Sequence, residues 1–466
     1  MKTVIAGGGI AGLISALSLS LHQDQEVILI EKADHPGGLL KSFDYGEQGL
    51  FDHGAHNVCE TGNTAIDKVI FDLLPKGGWD VLEKDKRDLA GIFYDGRLQL
   101  NTPYIDIRHK DQYKQYIADF FANIESTPSY NGPQNAYETI FQKFGESITQ
   151  EVISPVVNKI YKKDIHDLDL LSILLTPLTR VNMFSSFLME DLLHTKHLKN
   201  LLSFPEQREL PLQHSSGRRS LYPKNFGMQK VVDAIIKKLQ ENNVKILTNT
   251  GIKKITTQNQ KISEVTIENA QGNIEQISLD YFVWSVGIPQ LSFMLGLVNG
   301  KPDFDPPLKT IVTNLIVEKP IAMGDLYYLY CYDDGYHTFR VSNYANYCST
   351  AKRSNGYPIS IELLMEPTQV ESPEKITEIA ISELRKMQIL QEDNRVNFGK
   401  TEILASGFPM PTLKNSLFIN QKRKEIEKLD LQNLVLTGIL SEPNLFFQTD
   451  IIRDTYEKML DRIIQK

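Results

Sequence analysis

Cysteine is scarce in this chain. Cys59, Cys331 and Cys348 are the whole complement, with no Cys-x-x-Cys and no His/Cys cluster at metal-ligand spacing. A disulfide framework and a structural zinc site are both excluded on that count. Excess positive charge is also missing. Lys and Arg number 50 against 58 Asp and Glu, a formal net charge of −8, which excludes the basic stripe a nucleic-acid binder carries. The basic cluster Lys422, Arg423, Lys424 is followed by Glu425 and Glu427 and reads as a solvated helix face. Long apolar runs are absent. The longest, Val283 to Val298, is interrupted by Pro289 and Gln290 and is too short to span a bilayer. The opening Met1-Lys2-Thr3-Val4-Ile5-Ala6 resembles a signal peptide only until three glycines break it. Repeats and low-complexity tracts are absent too. The expectation is a cytoplasmic protein with a small-molecule partner, no nucleic acid and no bilayer-spanning segment; its oligomeric state is open.

What is present is the composition of an ordinary globular protein, 466 residues and 41% hydrophobic, enough for two or three domains. The first thirty residues predict strand, tight glycine turn, helix and strand: Thr3 to Ala6, Ile10 to Leu21, Glu26 to Ile30. The Asp95-Gly96 pair predicts a hairpin between Ile92-Phe93-Tyr94 and Leu98-Gln99-Leu100. From His109 to about Leu202 the apolar spacing is helical. Residues 222 to 289 return to α/β, with a helix over Gly227 to Gln240, a strand over Val244 to Thr248, a hairpin turned at Gly272, and a strand over Phe282 to Ser285. Alternation through 308 to 366 predicts an antiparallel sheet. Ser372 and Pro373 suit the start of a helix to Lys386. Leu434 to Thr437 reads as a last strand and Asp450 to Ile464 as a last helix.

The sharpest motif is Gly7-Gly8-Gly9-Ile10-Ala11-Gly12, a Gly-x-Gly-x-x-Gly between strand and helix. Such glycines allow the tight turn, the approach of a pyrophosphate and close helix–strand packing, and the helix presents open N–H groups. Glu31, at the end of the second strand, stands where a carboxylate accepts hydrogen bonds from a ribose diol and repels a 2′-phosphate. Gly37-Gly38 follows a short loop later, where a simple NAD domain would proceed into a helix. Two glycines there let the backbone pass close to the far phosphate and ribityl chain, favouring FAD.

Together with Phe51-Asp52-His53-Gly54-Ala55-His56, these segments resemble the FAD-dependent amine oxidase superfamily, in particular its protoporphyrinogen-oxidase-like and UDP-galactopyranose-mutase-like flavoproteins. Phe93-Tyr94-Asp95-Gly96-Arg97 with Pro103, Phe144-Gly145 through Lys159-Ile160-Tyr161, Tyr222-Pro223-Lys224 to Gly227-Met228, and Asn433 to Gly438 extend the likeness along most of the chain. The resemblance implies a Rossmann-like α/β FAD-binding domain of glutathione-reductase type, an α+β substrate domain and a helical subdomain. The corresponding divisions are 1–60, 222–289 and 411–466 for FAD; 61–108 and 290–410 for the antiparallel-sheet domain; and 109–221 for the helices. Expected cofactor contacts are Gly7, Gly9, Ile10, Ala11, Gly12, Glu31, Lys32, Gly37, Gly38, Leu39, Ile252, Gly438 and Ile451. The last helix would aim its N-terminus at the flavin. Ile439 departs from the pattern, since relatives carry an acid or arginine there, and Ser441-Glu442-Pro443-Asn444 replaces their Gly-rich run.

For substrate, Arg340 in an apolar strand needs an anion, either bound substrate or Glu362. Tyr330 and its neighbouring tyrosines offer an aromatic wall, and His56 lies in the loop that the resemblance places beside the flavin. No catalytic residue is identified, as expected where the cofactor carries the chemistry. An FAD-dependent oxidoreductase removing hydride from a small organic substrate is the leading expectation. A redox-neutral mutase acting on a nucleotide sugar and a cofactor-free binding protein are the alternatives.

Overall fold

The apolar run at the start of the chain becomes the centre of a parallel sheet. In the computed structural model, which describes residues 1–22, 26–82, 89–125, 135–215, 217–300, 302–404, 407 and 409–465, the chain divides into two compact units. One comprises Met1–Asp80, Leu221–Phe304 and Leu417–Lys466, the other Val81–Ser220 and Asp305–Ser416. Residues 126–134, within the stretch expected to be mainly helical, lie outside the described residues.

In the first unit five strands lie in the order Lys245–Leu247, Glu26–Ile30, Lys2–Ala6, Tyr281–Trp284, Leu434–Leu436, every neighbouring pair parallel. Val4 and Ile5 are fully buried, as expected of central parallel strands, which are covered on both faces and so read as unbroken apolar runs. The helix Ile10–Ser20 is buried over its nine residues Ala11 to Leu19. A helix apolar all round belongs inside, and its few hydroxyls are absorbed: Ser15 donates to Ala11 O and Ser18 to Ile14 O.

A second, antiparallel sheet joins Thr250–Gln258, Lys261–Asn269 and Ile274–Ser278. The hairpin at Gly272 (φ +80°) matches expectation. The strand Thr250–Gln258 does not, having been read only as a segment holding Ile252. Its turn uses Asn259 and Gln260, both at positive φ, and glutamine there gives no sequence signal. Asn433 ties this sheet to the parallel one: its Oδ1 accepts from Ile262 N (2.8 Å), while Nδ2 donates to Ile262 O (2.8 Å) and Asp280 O (2.9 Å).

In the second unit a seven-stranded sheet runs Val396–Ile403, Lys309–Val317, Tyr357–Met365, Thr338–Asn343, Tyr328–Cys331, Ala90–Tyr94, Arg97–Gln99. It is antiparallel except where Tyr328–Cys331 meets Ala90–Tyr94 in parallel, a pairing the alternation could not reveal. The expected hairpin turns at Asp95 and Gly96, both left-handed, and the Asp333 carboxylate accepts both their N–H groups at 2.6 and 2.7 Å. The helices Tyr113–Glu125, Ala136–Phe144 and Ser154–Tyr161 share one hydrophobic cluster with Ile92, Tyr330, Tyr332 and Phe339 of the sheet. Helices and sheet, expected as separate domains, therefore have a common core. Lys159 crosses it: its buried ammonium donates to Cys331 O and Thr338 O, and burial lowers its pKa.

Replacing Asn433 by leucine takes the side-chain partner from the buried N–H and carbonyl of Ile262 and from the Asp280 carbonyl. The expected loss is about 3 kcal/mol of stability, read as a lowered urea midpoint at unchanged slope.

Candidate functional site

The turn between the first strand and the buried helix is set by contact distances. A methyl group on Gly12 would lie 1.8 Å from Gly7 O, and one on Gly7 (φ +95°) 2.6 Å from Ser285 Oγ. Ser285 in turn donates to Ala6 O at 2.7 Å. Only glycine lets helix and strand end approach this closely. At Gly9 the reverse holds: nothing lies within 4 Å of where its Cβ would point. Gly9 is also the N-cap of the helix and contributes no side-chain cap. The open space thus faces the first turn, whose amides have no intrahelical acceptor.

Glu31 points to this turn. Its Oε2 accepts from Gly8 N at 2.6 Å and its Oε1 from Ala33 N at 2.8 Å, leaving lone pairs for further donors. Gly37 N donates to Gly8 O at 2.7 Å, and a Cβ on Gly38 (φ +56°) would stand 3.2 Å from the Gly9 α-carbon, so the two expected glycines lie against the turn. Lys32 and Leu39 are exposed. Ile252 is brought near through the backbone: Thr250 N donates to Glu31 O at 3.0 Å, and the strand ladder slips just after Ile252. Gly438 (φ +87°) has its Cβ direction 3.5 Å from Ala11 Cβ. Ile451 and Leu445 cluster with Ala11, flanked by Ile10 and Ile439. Ile439, the departure from the family pattern, is thus an apolar packing residue against the start of the helix. The last helix begins at Gln448, two residues before expectation, with Asp450 in its first turn. An open space before free amides, a carboxylate beside it and two glycines alongside fit the adenosine diphosphate part of a dinucleotide.

Two residues carry weight that the sequence did not assign. Asp52 is fully buried and accepts from Tyr222 OH (2.5 Å), Ser42 Oγ (2.7 Å) and Met228 N (2.8 Å). Burial raises its pKa to about 6 despite these bonds. Arg423 is a correction. It is not on a solvated face but 5% exposed, donating from Nε to Ser441 O (3.0 Å) and from Nη2 to Leu440 O (2.7 Å). Its neighbour Lys422 reaches Leu297 O at 2.8 Å. A basic residue between other basic residues offers no hint of burial in sequence.

Of the substrate candidates, His56 belongs to the first unit, Tyr330 and Arg340 to the second. His53, in the same loop as His56, stacks on Phe43 at 4.1 Å. Burial, then the charges of Lys41 and His56, push its pKa down to about 4, so it is neutral at pH 7. Arg340 has its anion on the protein: Nε and Nη2 bond Glu362 Oε1 and Oε2, each at 2.8 Å, across adjacent strands. It does not wait for a substrate carboxylate or phosphate. Its guanidinium lies 5.8 Å from the Tyr330 ring centre, and Tyr330 stacks on Tyr332 at 5.9 Å. The hydroxyl of Tyr332 is buried without a hydrogen-bond partner among the described residues. Among the described residues no group of three or more His, Cys, Asp or Glu side chains could hold a metal, and no helix is long and apolar enough to cross a membrane.

The raised pKa of Asp52 makes stability depend on pH. The folded state binds the extra proton between the ordinary 3.8 and about 6, so stability is greatest below that window and falls as pH rises through it. The fall is about 3 kcal/mol for a shift of this size. Asp52→Asn removes the titrating group, and its unfolding free energy should stay flatter than the parent's across the window in a urea series at stepped pH.

Residues 5–73 match the family model of an NAD(P)-binding Rossmann-like domain. Comparison with curated proteins finds no match. Among solved structures, reduced UDP-galactopyranose mutase is similar over 100% of this chain and 96% of its own, at 16% identity and a TM-score of 0.73. A candidate protoporphyrinogen oxidase from Exiguobacterium sp. 255-15 is similar over 100% and 99%, at 15% identity and 0.67. Putrescine oxidase bound to putrescine is similar over 100% of both chains, at 12% identity and 0.61. The glycine turn with Glu31 therefore lies in the segment that matches a Rossmann-like domain model, and the whole chain has the fold these solved structures share.

Proposed function

We propose that this protein is an FAD-dependent oxidoreductase that removes hydride from a small organic substrate. The observation that carries the reading is the open space over Gly9, bounded by the helix start and the Glu31 carboxylate. The cofactor domain is taken as residues 1–60, 222–289 and 411–466, and the location as cytoplasmic. When bound, the flavin accepts the hydride; the protein's part is to hold, orient and exclude water.

In this reading the first-turn amides of Ile10, Ala11 and Gly12 receive the pyrophosphate, and Glu31 accepts from the ribose hydroxyls. Gly37 and Gly38 give the backbone room beside it, while Ile252 borders the adenine. Ile451 and Gly438 line the other side of the helix start, and Lys32 and Leu39 lie at the solvent edge. Neutral His53 beside His56 can donate and accept hydrogen bonds without adding charge at pH 7. Tyr330 is buried in the core that the helices share with the sheet, beside the neutralised Arg340–Glu362 pair. That pairing removes Arg340 as the cation a nucleotide-sugar mutase would need for its phosphates. The vacant approach to Gly9 counts against a scaffold without cofactor, since such a scaffold gains nothing from keeping it.

Gly9 has φ −70° and ψ −177°, ordinary for an L-residue, so Gly9→Ala should fold with stability within about 0.5 kcal/mol of the parent. Its methyl group occupies the pyrophosphate's place. FAD affinity, followed by flavin fluorescence, should fall about tenfold or more, a loss of 1.4 kcal/mol or above. A parent protein that binds no FAD, or a variant that binds it unchanged, overturns the reading.

A further inference from the structure

The loop from Gly438 to Leu445 holds Leu440 at φ +56° and Asn444 at φ +61°. For leucine the left-handed region is sterically disfavoured, so something must keep it there. Inside the loop, Leu440 N donates to Leu445 O (2.7 Å) and Ser441 N to Gly438 O (3.1 Å). From outside, one side chain grips the two carbonyls at the strained position. Arg423, in the helix Leu413–Lys428, donates to Leu440 O and Ser441 O and is braced by Asn420 Oδ1 at 2.8 Å from its Nη1. The planar guanidinium reaches two successive carbonyls at fixed spacing, which an ammonium cannot do. On its other side the loop is tied through Glu442, whose carboxylate pairs with Lys458 of the last helix at 2.8 Å.

What the loop then presents is specific. Gly438 sits against Ala11, and Ile439 and Leu445 pack with Ile10, Ala11 and Ile451. Ile10 and Ala11 are the first two residues of the helix whose open amides face the space over Gly9. We propose that Arg423 is a positioning residue for the dinucleotide: by fastening Leu440 and Ser441 it holds the 438–445 loop against the first turn of the phosphate-facing helix. The inference rests on the dinucleotide reading above, and it goes further by naming a residue that never touches the ligand.

The test pairs amide hydrogen exchange with FAD titration on Arg423→Met, Arg423→Lys, Leu440→Gly and the Arg423→Met/Leu440→Gly double variant. Exchange across 438–445 is expected to rise in Arg423→Met while the strand Lys2–Ala6 stays protected. FAD affinity should fall about tenfold, with Arg423→Lys intermediate. Leu440→Gly alone should change little, but in the Arg423→Met background it should recover about threefold of the affinity, because glycine occupies the left-handed region without help. A purely structural role for Arg423 predicts no such rescue. Unchanged loop exchange overturns the tether. Raised loop exchange with unchanged affinity overturns the link to the ligand, and exchange raised throughout the unit marks general destabilisation and overturns it as well. Failure of the parent to bind FAD overturns both this inference and the oxidoreductase reading, whereas loss confined to the Arg423 variants leaves the latter standing. If Arg423→Met does not fold, Arg423→Lys with and without Leu440→Gly carries the same comparison.

Discussion

The approach of Gly12 to the carbonyl of Gly7 is the constraint on which the rest of the first unit turns. With 1.8 Å between that oxygen and the place where a Cβ would be, the helix starts directly behind the strand end and brings its unpaired amides to the mouth of the turn. Ser285, from the neighbouring strand, fills the back of the same turn and donates to Ala6 O. Glu31, from the strand on the other side, closes the front. Three adjacent parallel strands thus each contribute one element to a single concavity, and their order in the sheet, not their order in the chain, decides which residues meet.

Much of this was legible because it is local. A strand, three glycines and a wholly apolar helix leave few alternatives, and the hairpins at Asp95-Gly96 and Gly272 announce themselves through residues that tolerate positive φ. What escaped is of two kinds. The strand Thr250–Gln258 is half exposed, carries Lys253 and Lys254, and turns through Asn259 and Gln260 without a glycine, so neither its pattern nor its turn stands out. The remaining gaps are contacts between distant residues. Nothing near Arg423 points to carbonyls at 440 and 441. Nothing near Asp52 points to Tyr222 and Met228. The choice between Glu362 and a ligand for Arg340 was open in sequence, because both answers need the same inward-facing cation.

The buried charges are handled in different ways. Arg340 and Glu362 neutralise each other with two parallel bonds, the arrangement that best offsets desolvation. Lys159 and Arg423 each bond two backbone carbonyls instead of a carboxylate, and burial works against their charge. Asp52 has three donors and still holds its proton to about pH 6. The carbonyl-bound cations both secure backbone from another part of the chain, Lys159 the ends of two sheet strands and Arg423 a strained loop. In this fold a lone buried cation serves as a fastener.

The discontinuous first unit has a consequence for how the protein is made. Its central strand, Lys2–Ala6, is made hundreds of residues before its neighbour Tyr281–Trp284 and the outer strand Leu434–Leu436. At 5–20 residues per second, that is on the order of tens of seconds of translation. Throughout that interval Val4 and Ile5 have a ladder edge and an apolar face with no native cover on that side. The sheet that Lys2–Ala6 begins is completed only when Leu434–Leu436 arrives.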